Sequence, residues 1–578
     1  MSTDTTTPAS TTEPASRTAL WRALTAAGGL ATAASTMLAW TWTAAFPGDL
    51  TIYGYPAGLQ ILTLIAGLIT TVLALAALDI KGLRWLAPTG TTQALRLAAL
   101  GGFATTWFTV IAIAVDLDGL VNLEPGGYVA AIASAIPAAT AFLIPDDTRL
   151  AKRPKELASW LEILIIVAAF ALALQVLTYG IEIDDENSEE FIGYLITTGF
   201  GAGALLKAGL VARLSALTQK HRTATAAAAF AAAAAFPFTQ SDDQYLQLGV
   251  NILIFATVAL GLNVVVGLAG LLDLGYVAFL GVGAYTAALV SGSTASTLDI
   301  HFPFWAAVLA GAVVALIFGV LIGAPTLRLR GDYLAIVTLG FGEIFRIAVN
   351  NLDGVSGPKV TNGPNGIPNI PDLNFFGYNF GESHSIGGFE LGSFGNYYLL
   401  MLLFTVLVVL IFSRAGDSRI GRAWVAIRED ETAATAMGIN GFRLKLIAFA
   451  LGATLAGIAG TVWAHTQYTV VPEQYVFSGP VAPNSAFLLA AVILGGMGTI
   501  SGPLMGAALL FLIPEKLTFL QDYQLLAFGI ALILLMRFRP EGLIPNRRQQ
   551  LEYHETDQLD VPAQGLDDAA VGVTKAEA

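Results

Sequence analysis

Apolar runs of membrane-crossing length alternate with short polar links along most of this chain. A helix needs about 20 apolar residues to cross a bilayer. Runs near that size lie at Ala19 to Phe46, Gly58 to Leu78, Leu97 to Val115, Tyr128 to Ile144, Ile163 to Leu177 and Ile192 to Val211. Further runs follow at Thr223 to Phe238, Leu246 to Val266, Leu271 to Val290, Phe302 to Ile322, Tyr333 to Val349, Tyr397 to Phe412 and Leu446 to Val462. Two short runs separated by glycines, Ala486 to Leu494 and Leu504 to Ile513, precede a last one at Leu525 to Met536. The expected fold is all-α: a polytopic helix bundle of about 14 to 16 membrane segments, some broken or re-entrant, spread over the 578 residues.

Charge gives the bundle its sides. Threading alternate loops to opposite faces collects Arg17, Arg22, Lys81, Arg84, Arg96, the Arg149 to Lys155 cluster, Arg213, Lys220, Arg222, Arg328, Arg330, the Arg414 to Lys445 cluster and Arg537 to Arg548 on one side. Of the 29 basic residues, the opposite loops hold only Lys359 and Lys516, beside the acidic stretch "EIDDENSEE". An excess of Lys and Arg marks the cytoplasmic face, which therefore carries both termini. A miscounted span would scramble this separation. Composition agrees: 55% of residues are hydrophobic, 12% are charged and the mean hydropathy is +0.67. With no cysteine and five histidines, disulfides, thiol chemistry, Fe–S clusters and zinc sites are not expected.

The chain divides by texture. Residues 1–18 read as a disordered cytoplasmic tail, since "MSTDTTTPASTTEPAS" lacks the basic start and apolar core of a signal peptide. Residues 19–222 form an N-terminal accessory region of about six plain helices, 223–548 form a second, motif-bearing region, and 549–578 are an acidic tail. The alanine-rich "ATAAAAFAAAAAF" marks the junction between the two membrane regions.

Three stretches of the second region invite a physical account. In "LGLNVVVGLAGLLDLGYVAFLGVGAYTAALVSG", glycines that include Gly267 and Gly270 recur too often for a uniform helix. They serve either close helix packing or a break that lines a pathway. Asp273 reads as an interfacial carboxylate before a proton carrier, and it becomes functional if buried. In "APTLRLRGDYLAIVTLGFGEIFRIAVNNLDG", Glu343 and Arg346 stand three residues apart on one helical face and can pair. At that depth the pair is expected to face the bundle interior, as a buried tie between helices or as a contact to cargo. Asn263, Tyr285 and Asn350 are polar candidates for a mostly apolar path, or for packing hydrogen bonds. The Gly-, Pro- and Asn-rich loop after residue 352 is external and longer than a connector needs, so it reads as a docking surface or an ordered lid.

The third stretch is "RAWVAIREDETAATAMGINGFRLK", Arg422 to Lys445. Asp430 can cap a short helix whose first turn carries Glu431, and Gly438 and Gly441 supply its stop. Ala433, Ala436 and Met437 fall on one face, which makes a small-residue helix able to press into a groove. From the residues alone it could equally be a solvated interfacial helix.

Here the order "GRAWVAIREDETAATAMGINGFRLKLIAFALGATLAGIAG" closely resembles the cytoplasmic EAA loop of bacterial ABC importer permeases, in the form typical of branched-chain amino acid permeases. "GLNVVVGLAGLLDLGYVAFLGVGAYTAALVSG", "RLRGDYLAIVTLGFGEIFRI" and "VILGGMGTISGPLMGAALLFLIPE" resemble that family's other segments in the same order, and together the likeness spans roughly Leu246 to Pro545. Glu431, Ala433, Ala434 and Gly438 match the loop's Glu, Ala, Ala and Gly positions. The resemblance implies that this helix fits a cleft on an ATPase subunit and passes its closure to the membrane helices. Asp273 stands where many relatives have a small residue, and the six N-terminal spans exceed the family's usual extension.

The resemblance also implies partners: a homologous second permease, two P-loop ATPase subunits, an extracytoplasmic substrate-binding protein and surrounding membrane lipid, with no nucleic acid. No GxxxxGK[ST] phosphate loop occurs in the chain. The chain is therefore expected to be a transport subunit and not an enzyme, to bind no cofactor itself, and to leave ATP and Mg to the ATPase subunits. Branched-chain amino acids are the expected cargo, with urea or short amides as the alternative. An ion-coupled transporter would need Asp273 or Glu343 to cycle protons or sodium. A membrane enzyme lacks any catalytic constellation.

Overall fold

A computed structural model describes residues 15–544, apart from interruptions at 42–57, 79–82, 118, 148–156, 184–187, 241–242, 297, 299, 330–331, 387–388, 480–483, 518–522 and 540. The acidic tail, residues 1–14 of the N-terminal tail, and Lys81, Arg149, Lys152, Arg153, Lys155, Arg330, Arg547 and Arg548 lie outside the described residues.

The protein is a helical membrane bundle, and ten of its described helices are long and apolar enough to cross a bilayer. The N-terminal region contains α1 (Ala15–Ser35), α2 (Leu59–Ala77), α3 (Thr92–Asp116), α4 (Pro125–Phe142), α5 (Ser159–Glu182) and α6 (Ser188–Ala208). The apolar run expected to end at Val211 stops earlier, at Gly209 in the left-handed region, and the chain turns into α7 (Leu210–Lys220). The alanine-rich junction forms α8 (Arg222–Ala235), which has no buried residue and packs along α5.

The second region contains α9 (Asp243–Asn263), α10 (Val277–Val290), α11 (Phe304–Thr326), α12 (Asp332–Asn351), α13 (Ser393–Asp417) and α16 (Gly441–Gln467), with α14 (Arg419–Glu429) and α15 (Glu431–Ala436) between the last two. It ends in α17 (Ser485–Gly495), α18 (Ser501–Lys516) and α19 (Gln524–Phe538). α16 is the central post. Its small residues let α9, α10 and α11 approach at backbone distance, as where Gly457 meets both Gly283 and Gly311.

Two departures from plain spans shape the centre. The run from Leu271 to Val290 is not one helix: α9 winds into a π turn at Val264–Leu268, residues 271–276 are non-helical, and α10 begins only at Val277. α17 and α18 form an antiparallel hairpin, with Gly495 against Gly502 and Gly506 against Ala491. At 11 residues, α17 reaches only about 16 Å, half of a hydrocarbon core. The two breaks meet where the Val277 N–H donates to Ser485 Oγ at 3.1 Å. Non-helical backbone at this depth is tolerated because protein surrounds it.

One continuous apolar core runs from Trp40, Leu59, Ile183 and Phe191 of the accessory region through α9, α10 and α16. A buried lysine reinforces that contact: Lys516 at the end of α18 donates from Nζ to the Ile183 carbonyl at 2.5 Å and lies 4.4 Å from the centre of the Tyr245 ring. On the face opposite the basic loops, residues 363–392 fold into an ordered cap with two short antiparallel hairpins, Asn374–Phe375 with Tyr378–Asn379 and His384–Ile386 with Phe389–Leu391. The Ile367–Val470 bridge and the Tyr397 hydroxyl, which donates to Asp372 Oδ1 at 3.0 Å, pin the cap to the bundle. Phe376 stands 91% exposed on it and Val355, in the stretch that leads into it, 92%, so the ordered outer surface still offers apolar points outward.

Candidate functional site

The short helix α15 exists because both of its ends are closed. Asp430 Oδ1 accepts from the Thr432 and Ala433 N–H groups at 2.8 and 2.9 Å, which satisfies donors that six residues of helix cannot. At the other end Gly438 adopts φ +86°, and the Gly438 and Ile439 N–H groups return to the Thr435 and Ala434 carbonyls at 2.9 and 3.1 Å. A side chain at 438 would carry the left-handed strain that glycine avoids.

The four residues matched to the loop pattern divide by direction. Ala434 is buried against the protein, whereas Ala433 is exposed together with Ala436 and Met437, the last at 83%. Ala433, Ala436 and Met437 thus present a free face, and Ala434 is its anchor. Glu431 leans back onto Lys445 of α16 with Oε1 2.7 Å from Nζ, a pair whose lysine is nearly enclosed. Gly441 abuts the same Glu431 side chain.

Behind α15 the contacts lead inward. The stem of Arg428 packs on Gly270, which holds φ +70°, and Nη1 donates to the Gly267 carbonyl in the π turn at 2.8 Å. Asn263, fully buried, accepts from the Gly498 N–H at 2.8 Å and donates to the Thr499 carbonyl at 2.7 Å, tying that turn to the tip of the α17–α18 hairpin. Trp424 anchors α14 by donating from Nε1 to the Leu444 carbonyl at 2.7 Å. A cavity of about 410 Å³ opens between the non-helical break and these contacts, lined by residues 269–272, Leu329, Leu334, Ile427, Arg428, Glu431 and Lys445. Sequence reasoning grouped Arg428 and Lys445 with the basic fence and missed their contacts. Arg428 reaches 161 residues along the chain, and no local pattern encodes that.

The other candidates fall elsewhere. Asn263 makes a packing hydrogen bond, one of its two expected readings. Asp273 is buried in the break, where Oδ1 accepts from the Gly275 N–H at 2.9 Å and Oδ2 has no partner among the described residues. Tyr285 is buried on α10 with ring centres 6.1 Å from Phe345 and 5.9 Å from Tyr475, and its hydroxyl has no partner among the described residues. Asn350 is half-buried at the outer end of α12. Glu343 and Arg346 do pair, with Nε 3.0 Å from Oε1, but they correct the expectation of an inward-facing tie. Their side chains are 48% and 30% exposed on the outward face of α12, because Leu334, Thr338, Phe345 and Val349 take the buried face.

A broken central span, a capped short helix with a free small-residue face and a network joining the two make up the candidate site. Residues 244–536 match the family described as the permease component of the branched-chain amino acid transport system. The LivM high-affinity branched-chain amino acid permeases of Salmonella typhimurium and Escherichia coli are each 40% identical over 335 residues, 55% of this chain and 74% of theirs. The permease LivH of Escherichia coli is 32% identical over 148 residues, 25% of this chain and 45% of its own length. No solved structure matches the chain. The chain belongs to this permease family and is a membrane-embedded permease subunit of an ABC importer.

Proposed function

We propose that this subunit imports branched-chain amino acids as half of a permease pair, with LivH-like and LivM-like chains as the two halves. ATP and Mg bind to two separate P-loop ATPase subunits, and an extracytoplasmic binding protein delivers cargo to the ordered outer cap. Each ATPase cleft grips a short helix, here the exposed face of Ala433, Ala436 and Met437. The observation that carries the reading is the run of contacts from that helix through Arg428, the Gly267 carbonyl and Asn263 to the hairpin tip. A push on the inner face thereby reaches both breaks, which is what a two-state gate requires.

Gly438→Pro, which removes the N–H of the cap, and Glu431→Lys, which sets two like charges against each other at Lys445, should leave the chain inserted but abolish co-purification with the ATPases. Retained co-purification and ATP-dependent leucine uptake in both variants would remove the coupling role. The buried Asp273 carboxylate, whose Oδ2 has no partner among the described residues, favours one competing reading, ion-coupled transport. The same reconstituted preparation separates the two, because uptake that follows an imposed ion gradient without ATP belongs to ion coupling.

A further inference from the structure

The outward face of α12 holds two charges where lipid cannot solvate them. Glu343 lies about 16 Å along the helix from its inner end, close to mid-membrane. A charge at that depth is costly against hydrocarbon, so such side chains face protein or water. The remainder of the face is apolar, with Tyr333, Ile336, Ile344 and Ile347 exposed by 45% to 71%. One turn below the pair, at the exposed Gly340, an added Cβ would meet nothing within 4 Å, so the surface beside the charges is open. Among the described residues, none covers the pair. By the function proposed above, a second permease does, and the pair then borders the space between the two subunits.

We infer that Glu343 and Arg346 form a recognition site for a zwitterionic α-amino acid, with Glu343 taking the ammonium, Arg346 taking the carboxylate, and the exposed Ile336, Ile344 and Ile347 around them receiving the apolar side chain. This rests on the reading of branched-chain amino acids as cargo. A resting ion pair satisfies itself while the site is empty, and it exchanges into two charge-assisted contacts when a molecule with both charges arrives. Urea or a short amide offers neither charge and leaves the pair closed. Glu473, on the 3₁₀ turn Pro472–Tyr475 that follows the outer end of α16, lies within electrostatic reach of Arg346. It gives the arriving ammonium a second acceptor nearer the outside.

The test uses the complete importer in liposomes. The chain has no cysteine, so single cysteines report cleanly. In the assembled complex, Gly340→Cys should react with a water-soluble, membrane-impermeant maleimide and L-leucine should slow that reaction, while Leu309→Cys, exposed on α11, should stay unlabelled. Glu343→Gln and Arg346→Gln should each lower leucine uptake by about 30-fold or more while the importer's subunits still co-purify. The exchange Glu343→Arg with Arg346→Glu, which restores a merely structural pair, should not restore transport. Gly340→Cys as unreactive as Leu309→Cys, or wild-type uptake in either Gln variant, overturns the inference while leucine import by the parent complex still stands. A parent complex that carries urea or acetamide and ignores leucine removes the cargo reading itself, and the site's assignment with it.

Discussion

Single residues close the ends of helices in this protein, and Asp147 shows how far they reach. It lies beyond the end of α4, yet its carboxylate accepts from the Thr91 and Thr92 N–H groups at 3.0 and 2.9 Å and from the Thr91 hydroxyl at 2.7 Å, capping α3 from 55 residues away. Burial pushes its carboxyl up, but those hydrogen bonds outweigh the burial and bring it down to about 2, against an ordinary 3.8. A depressed carboxyl contributes stability that is complete above its unfolded value and disappears as pH falls through the folded one. Asp147→Asn should therefore cost about 2 kcal/mol at pH 7, read as a lower melting temperature in detergent. The gap should narrow below pH 4 and close near pH 2, and a gap independent of pH would contradict this account. The local caps were legible in the sequence: Asp430 and Gly438 stand where a six-residue helix needs them. Asp147 was not, since its partners lie in another loop.

At the scale of elements, hydrophobic runs located most helices, and their failures fall at the breaks. Leu271 to Val290 reads as one apolar run because the non-helical residues 271–276 are walled by protein and stay mostly apolar. Hydropathy reports burial and is blind to backbone conformation. The outward turn of Glu343 and Arg346 was equally hidden, because spacing places two residues on one face without saying what that face meets. The hairpin of α17 and α18 was anticipated as two short glycine-separated runs, but the side chain that fastens its tip lies more than 200 residues earlier. Asn263→Ala removes two hydrogen bonds from a buried side chain, to the Gly498 N–H and the Thr499 carbonyl, at a cost of about 1 to 3 kcal/mol. The purified protein should melt earlier, and the reconstituted importer should move less leucine for each ATP hydrolysed. An unchanged ratio would separate the hairpin from the drive.

In the molecule as a whole, the accessory helices and the permease region share one core, and buried Lys516 ties α18 to the loop between α5 and α6. The extra helices are thus packed onto the permease region as part of one continuous core. In the proposed function the drive begins on the opposite side from the cap, at α15, whose Ala433, Ala436 and Met437 face is exposed. Met437, almost fully exposed on that face, provides the most direct test because the chain has no other thiol once it becomes Met437→Cys. A bulky, membrane-impermeant maleimide applied to inside-out vesicles should label this position, displace the ATPase subunits and stop ATP-driven leucine uptake, and the same reagent applied to right-side-out vesicles should do nothing. Labelling from the outer side, or full uptake after complete labelling from the inner side, would contradict the claim that force enters the bundle there.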